Sequence, residues 1–360
     1  MGRNKIKIGI IGVGNCASSL IQGIDYYSDI NNAPTSIGLL HKKIGQYSIS
    51  DIECVAAFDV NENKVDHDIS DAIFTQPNCT MKFFDVPFKN VEVKKSPVFD
   101  GLTGKLKNIV KTNSDQKPVN VSKILQDSGA EILINYLPTG SQKATEYFVK
   151  ESIKANCGFI NGIPVFIASN KVYSKRFLEA KLPLAGDDIK SQIGSTIVNR
   201  SILDLFNLRG VKLEKSSQTC EGGNTDFLNL SDIDRAKKKI ISKLSALNGI
   251  INYDTDIEII PPEFIDGQKD KKTSTIMIQG KYFGNSTVNI KINLEVEDSP
   301  NSAGVMVDII RFMKIALNKG FYGTLDDICP FYFKHPPIQC DDYLAYEKVK
   351  NFINYVTRDQ

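Results

Sequence analysis

The chain has 360 residues, of which 41% are apolar and 24% charged, and its formal charge is only +2. That length and balance give a folded chain with a core large enough for two domains. They exclude a disordered polymer and a whole-molecule field directed at nucleic acid or an acidic membrane.

The chain opens MGRNKIKIGIIGVG. The apolar run is short and ends in Gly-x-Gly, which reads as a buried strand entering a turn rather than as a leader sequence. A helix follows in NCASSLIQGIDYY, with Ala17, Leu20, Ile21 and Ile24 forming an apolar stripe at helical spacing. Gly12-Val-Gly14-Asn15-Cys16-Ala17 between them fits the G-x-G-x-x-G/A pattern. In a strand-turn-helix context the first glycine makes the turn and the second lets backbone approach a pyrophosphate. The small third residue lets helix pack on strand, and free N–H groups at the helix start attract the anion. The alternative is a tight turn that binds nothing.

IECVAAFDV (52–60) is a second strand ending in an acid. Asp59 is the candidate for the adenosine ribose hydroxyls, which favours NAD over NADP. It lies 47 positions after Gly12, against about 20 in the ordinary unit, so an insertion over roughly 28–50 must loop out. A polar stretch (61–120) precedes EILINYLP, QKATEYFVKESIKAN, GFINGIP and LPLAGDD, an alternation of strand and helix that predicts βαβ units and a parallel sheet.

GDDIKSQIGSTIVNRSILDLF leaves a strand and opens a helix at Gly194-Ser195-Thr196, either a seat for a substrate phosphate or an ordinary capped helix. In DRAKKKIISKL, Ile240, Leu244 and Leu247 make an apolar stripe, and Lys239 and Lys243 share a neighbouring face. Like charges at i,i+4 repel by a few tenths of a kcal/mol unless something negative lies between them. Taken alone these lysines, like Lys271-Lys272 and Lys334, read more readily as a solvated basic face than as the lining of a basic site.

VNIKINLEVE alternates strictly, with Val288, Ile290, Ile292, Leu294 and Val296 on one face, and predicts an amphipathic antiparallel strand. STIMIQGKYF is its hairpin partner through Gly284-Asn285-Ser286. The apolar face must be covered by helices of this chain or by a second subunit. Pro300 is read as the break after which SAGVMVDIIRFMKIAL (302–317) forms a helix. No stretch reaches the ~20 apolar residues of a membrane span. The seven cysteines are odd in number and form no C-x-x-C, so neither a disulfide framework nor a zinc knuckle is expected, and a reducing cytoplasm fits. The three histidines, at 41, 67 and 335, form no triad or zinc pattern, and His335 reads as a loop residue.

Taken in order, IGVGNCASSLIQGIDYY, VAAFDV, NYLPTGS, NGIPVFIAS, GDDIKSQIGSTI, EGGNTDFLN, KKIISK, DSPNSAG and KHPP resemble the segments of the myo-inositol-1-phosphate synthases, with the closer likeness to the shorter archaeal and bacterial members. The resemblance covers nearly the whole chain. It implies an α/β fold: a Rossmann-type doubly wound parallel sheet in a discontinuous NAD domain (1–200 plus 301–360), and a second α+β domain (201–300) with an open, mostly antiparallel sheet. It implies a cytoplasmic homotetramer that converts D-glucose 6-phosphate to 1L-myo-inositol 1-phosphate by oxidation at C5, enolisation, aldol closure of C6 on C1, and re-reduction. Cofactor contacts would come from Gly12, Gly14, Asn15, Cys16, Ala17, Asp59, Asn135 and Asp188, and the substrate phosphate would lie at Ser191, Gly194, Ser195 and Thr196. Lys239, Lys243 and Lys334 would stabilise oxyanions, with Lys272, Asp226 and Asn224 completing the site. Lys237–Lys238 and Lys271 leave a neighbouring register open. Cys220 stands where family members often carry Asn. Short members commonly need a divalent metal or another cation, and no ligand cluster for one is legible. The competing functions are a sugar-phosphate dehydrogenase that releases NADH and an inactive NAD-binding homologue.

Overall fold

The computed structural model describes residues 5–29 and 36–358. Residues 1–4 of the opening segment and 30–35 of the expected insertion lie outside the described residues. In chain order, β1 (Ile6–Ile11) leads into α1 (Asn15–Ser28). The hairpin β2–β3 (Lys43–Ile44, Tyr47–Ser48) follows, then β4 (Ile52–Asp59), α2 (Ile69–Ala72), β5 (Val93–Lys95), α3 (Leu106–Ile109) and α4 (Val121–Ser128). Next come β6 (Ile132–Asn135), α5 (Gln142–Lys154), β7 (Gly158–Asn161), α6 (Lys171–Glu179), β8 (Pro183–Ala185) and α7 (Ser195–Leu208). Beyond these lie β9 (Lys212–Gly222), α8 (Thr225–Leu230), α9 (Ile233–Asn248), β10 (Asp256–Ile259), β11 (Glu263–Phe264), β12 (Lys271–Tyr282) and β13 (Ser286–Glu297). The chain closes with α10 (Asp298–Lys319), β14 (Gly323–Thr324), α11 (Cys329–Tyr332) and α12 (Asp342–Arg358).

Seven strands form one sheet in the order β14-β8-β7-β6-β1-β4-β5, and every pairing in it is parallel. β1 is central because it is apolar on both faces: Ile6, Ile8, Ile10 and Ile11 are all fully buried. The chain winds from β1 to β4 on one side and to β6 on the other, so a crevice opens at the carboxyl end of β1, the switch point where doubly wound sheets bind ligands. The α1 stripe of Ala17, Leu20, Ile21 and Ile24 packs into one core with Val305, Ile309 and Phe312 of α10.

Two readings of the sequence change here. The insertion after α1 is not a free loop: its described part holds β2–β3, with Ile44, Tyr47 and Ile49 in the core and His41 bonded to Asp308 of α10 at 2.7 Å. Pro300 does not separate strand from helix either. α10 starts at Asp298, and the proline sits in its first turn, where its missing N–H has no intrahelical acceptor to lose.

The second sheet has the order β10-β9-β12-β13, with β11 on β9. The β12–β13 hairpin has the expected register, Ile276 opposite Ile292 and Ile278 opposite Ile290, and Gly284 and Asn285 turn it with φ of 68° and 58°. Helices of the same chain cover part of its apolar face: Leu203 and Phe206 of α7 and Leu244 and Leu247 of α9 share a core with the buried Ile276 and Ile278 of β12, while Val288, Ile290, Ile292, Leu294 and Val296 of β13 stay half-buried. α7 therefore spans the boundary drawn at 200 and joins the second core. Phe283 at the hairpin tip is 95% exposed. Among the described residues no helix is long and apolar enough to cross a membrane.

Candidate active site

A single cavity runs from the glycine turn, past Asp59, to a group of lysines contributed by distant segments. The two turn glycines serve different ends. Gly12 has φ +83°, and a Cβ there would lie 2.7 Å from the Tyr136 carbonyl, so it lets the turn pack. Gly14 caps α1 and meets nothing within 4 Å. α1 has no side-chain cap and no acid in its first turn, so its leading N–H groups face the cavity as an anion seat. The open space over Gly14 fits a dinucleotide pyrophosphate. Ala17 is fully buried beneath the turn.

Asp59 closes β4 and braces the turn. One carboxylate oxygen accepts from the Val13 N–H at 2.8 Å, and the other accepts from Val60 and Asn61. Asn15 likewise turns its side chain to protein, accepting from the Cys79 and Thr80 N–H groups. Cys16 lines the cavity, its thiol pushed up to about 12 by burial and by Asp270, Asp298 and Asp226. Asn135 is not brought to the cavity. It is fully buried, and its amide donates to Asn161 and Thr145.

In GDD the two acids divide their work. Asp187 accepts from the backbone of Ile167, Ala168 and Ser169 and so ties down the preceding loop. Asp188, with φ +60°, faces the lysines: Lys239 lies 3.0 Å and Lys334 3.2 Å from the same carboxylate oxygen. Burial alone would raise the Asp188 carboxyl, but the two ammonium groups outweigh it and hold the group well below the usual carboxylate range. Lys190 donates to the Pro330 carbonyl and, at 3.3 Å, to Asp342, which pins the segment to α12.

Three of the four expected lysines, Lys239, Lys272 and Lys334, line the cavity, and Lys243 is not part of its lining but adjoins them through Cys220, which Lys272 also faces. Burial opposes the charge on Lys239, but Asp188 and Asp226 prevail and hold it above its ordinary range. Lys272 is 3.1 Å from Asp298; burial pulls it down, and Asp298 with Cys220 more than offsets that. Lys334 goes the other way, since burial and the neighbouring ammonium groups of Lys239 and Lys272 outweigh Asp188 and bring it to about 7. Lys243 is 5% exposed and donates to the Cys220 sulfur at 3.3 Å. The neighbouring registers point elsewhere: Lys237 pairs with Asp234 at the surface, Lys238 donates to Gln142, and Lys271 is exposed.

Asn224 caps α8, accepting from the Asp226 and Phe227 N–H groups and donating to Asp270. Asp226, on the first turn of that helix, accepts from Thr139 and lines the cavity. Ser191 lines it too. Gly194 caps the 14-residue α7, whose first turn carries no acid, and Ser195 and Thr196 are buried there. Of these four residues only Ser191 lines the cavity, and the start of α7 reaches the lysine group through Ser195, 3.5 Å from the Cys220 sulfur.

Sequence reasoning did not pick out Asp298, Lys64 or Tyr136. Asp298 stands in the quoted DSPNSAG, where an acid opening a helix was the available signal. Lys64 is buried, donates to the Val13 carbonyl and to Asn78, and lines the cavity; nothing local in NENKVDHD marks it. Among the described residues no group of three or more His, Cys, Asp or Glu comes together to hold a metal ion.

The family described as Myo-inositol-1-phosphate synthase matches residues 194–299. An inositol-3-phosphate synthase of Corynebacterium glutamicum is 40% identical over 361 residues, covering 98% of this chain and 99% of that protein. One of Mycobacterium tuberculosis is 40% identical over 352 residues, covering 97% of this chain and 96% of its own. Among solved structures, Ari2 superposes with a TM-score of 0.81 at 29% identity, covering 98% of each chain.

Proposed function

The chain belongs to the myo-inositol-1-phosphate synthase family, and from that premise we propose that it converts D-glucose 6-phosphate to 1L-myo-inositol 1-phosphate. The observation that carries this reading is the gathering of Lys239, Lys272 and Lys334, from three separate segments, in one cavity with a glycine turn, with Lys243 adjoining them through Cys220. The turn, the α1 N-terminus and Asp59 would hold NAD, which when bound accepts hydride from C5 and later returns it, so that no net redox change results.

Everything else falls to the chain's own groups. Opening the ring, enolising C6 and closing C6 on the C1 aldehyde each place negative charge on oxygen beside a phosphate dianion, and preorganised cations in a water-poor cavity stabilise such charge. We assign the phosphate to the α7 N-terminus with Ser191, Gly194, Ser195 and Thr196, and the C5 and C1 oxygens to Lys239, Lys243 and Lys334. With its pKa brought to about 7 by burial, Lys334 both gives and takes a proton near neutrality. Lys272 and Asp226 assist, with the substrate phosphate as a further base. Asn224 fixes the α8 turn that carries Asp226. Asp188 holds Lys239 and Lys334 in place and lies on the nicotinamide side.

The same reading takes the protein as a cytoplasmic homotetramer with an NAD domain (1–200 plus 301–360) and a catalytic domain (201–300). The test of function is incubation with glucose 6-phosphate and catalytic NAD. Inositol phosphate should form with no build-up of NADH. Conversion of the added NAD to NADH without inositol phosphate would make the protein a dehydrogenase, and neither product would make it an inactive homologue.

A further inference from the structure

Three of the gathered ammonium groups have a carboxylate partner: Lys239 and Lys334 share Asp188, and Lys272 has Asp298. Lys243 is buried as deeply, yet among the described residues its single hydrogen-bond partner is the Cys220 sulfur, 3.3 Å away. A buried ammonium needs a counter-charge or strong acceptors, and a neutral thiol is a weak acceptor.

The surroundings of the sulfur supply a second, independent sign. Ser274 Oγ donates to it at 3.4 Å, and Gln218 Nε2 points to it at 3.7 Å. Ser195 Oγ lies 3.5 Å away and already accepts from Gln218, which leaves its own O–H for the sulfur. Four donors from α7, β9, α9 and β12 therefore converge on one atom, a demand that a thiolate meets and a thiol does not. Gln218 is 1% exposed, and its Nε2 donates to Ser195 Oγ at 2.9 Å beside the sulfur. The charged groups facing the sulfur are Lys243 from α9 and Lys272 from β12, both cationic.

We propose that Cys220 is the internal counter-ion of Lys243, a thiolate that holds this ammonium in register with the substrate site, and so a positioning residue for the reaction. The proposal rests on the reading of Lys243 as an oxyanion partner, but the state of the sulfur can be measured without turnover. The electrostatics agree: burial alone would raise the thiol, and Lys243, Lys272 and the two serine hydroxyls bring it down to about 6. The other six cysteines are raised instead, so ionisation near neutrality reports Cys220 alone.

The experiment is a titration of thiolate absorbance in the far ultraviolet on the intact protein, from about pH 5 to 8. Wild type should show a step worth one thiolate, Cys220→Ser should lack it, and Lys243→Met should displace it by about two units or more toward alkaline pH. Thermal melting checks that both variants fold. At saturating substrate, the acid limb of the kcat profile should lose its component near about 6 in Cys220→Asn, a change that mere packing at this position would not produce. Absence of the wild-type step, or its persistence unchanged in Lys243→Met, would overturn the proposal, whatever reaction the enzyme catalyses.

Discussion

Replacing Asp188 by Asn removes the one carboxylate shared by two buried ammonium groups. With Lys239 at 3.0 Å and Lys334 at 3.2 Å, an effective dielectric of about 20 gives roughly 5 kcal/mol for each contact, an upper bound once water and side chains relax. If only a third survives that relaxation, at about 1.36 kcal/mol per pKa unit, each amine falls by more than about one unit. Lys334 already stands at about 7, so in the variant it is largely neutral at neutral pH and the cavity loses a positive charge. The assay is kcat against pH on protein whose fold is checked by circular dichroism. Turnover near neutrality should drop about five- to tenfold, in step with the protonated fraction of Lys334. What activity remains should peak about one unit further to the acid side, where the amine is protonated again. Wild-type turnover with an unmoved profile would refute the idea that Asp188 sustains the charge on these lysines.

Three further outcomes follow from the same geometry. Lys243→Ala should keep NAD affinity, measured by calorimetry, and lose about a hundred- to a thousandfold in kcat; an unchanged kcat would return that lysine to a structural role. Gly14→Val places its side chain in the open space over the turn, so the protein should melt normally yet bind NAD at least about tenfold more weakly; retained affinity would mean that the pyrophosphate lies elsewhere. Cys220 has a depressed folded-state pKa, about 6 against 9.0, so between these values the unfolded chain holds a proton that the fold does not. Stability should therefore rise with pH through that window and be lost as pH falls through about 6, by as much as about 4 kcal/mol relative to Cys220→Ser. Parallel stability curves for the two proteins, from denaturant melts at several pH values, would contradict the assignment.

What was legible in the sequence was what local spacing encodes. β13 announces itself because alternating side chains face opposite sides of a sheet, and the α1 stripe does so because one helix face is buried. The spacing of Lys239 and Lys243 marks a shared face, but which face meets the cavity is fixed by Asp188 and Cys220, 51 and 23 positions away in the chain. Lys64 and Asp298 escaped for the same reason, since their partners Val13 and Lys272 are distant in sequence. Asn135 was placed at the cofactor by the family resemblance alone; its amide faces the neighbouring strand instead. Pro300 misled because a proline stops a strand and equally suits the first turn of a helix.

The central claim is met most directly by a crystal structure with NAD and a sugar phosphate that lacks the C1 aldehyde and so cannot cyclise. The phosphate should lie at the start of α7 on Ser195 and Thr196, with the amines of Lys239, Lys243 and Lys334 turned to the sugar oxygens and the nicotinamide over C5. A phosphate bound elsewhere, with those three amines still facing only protein, would contradict the account.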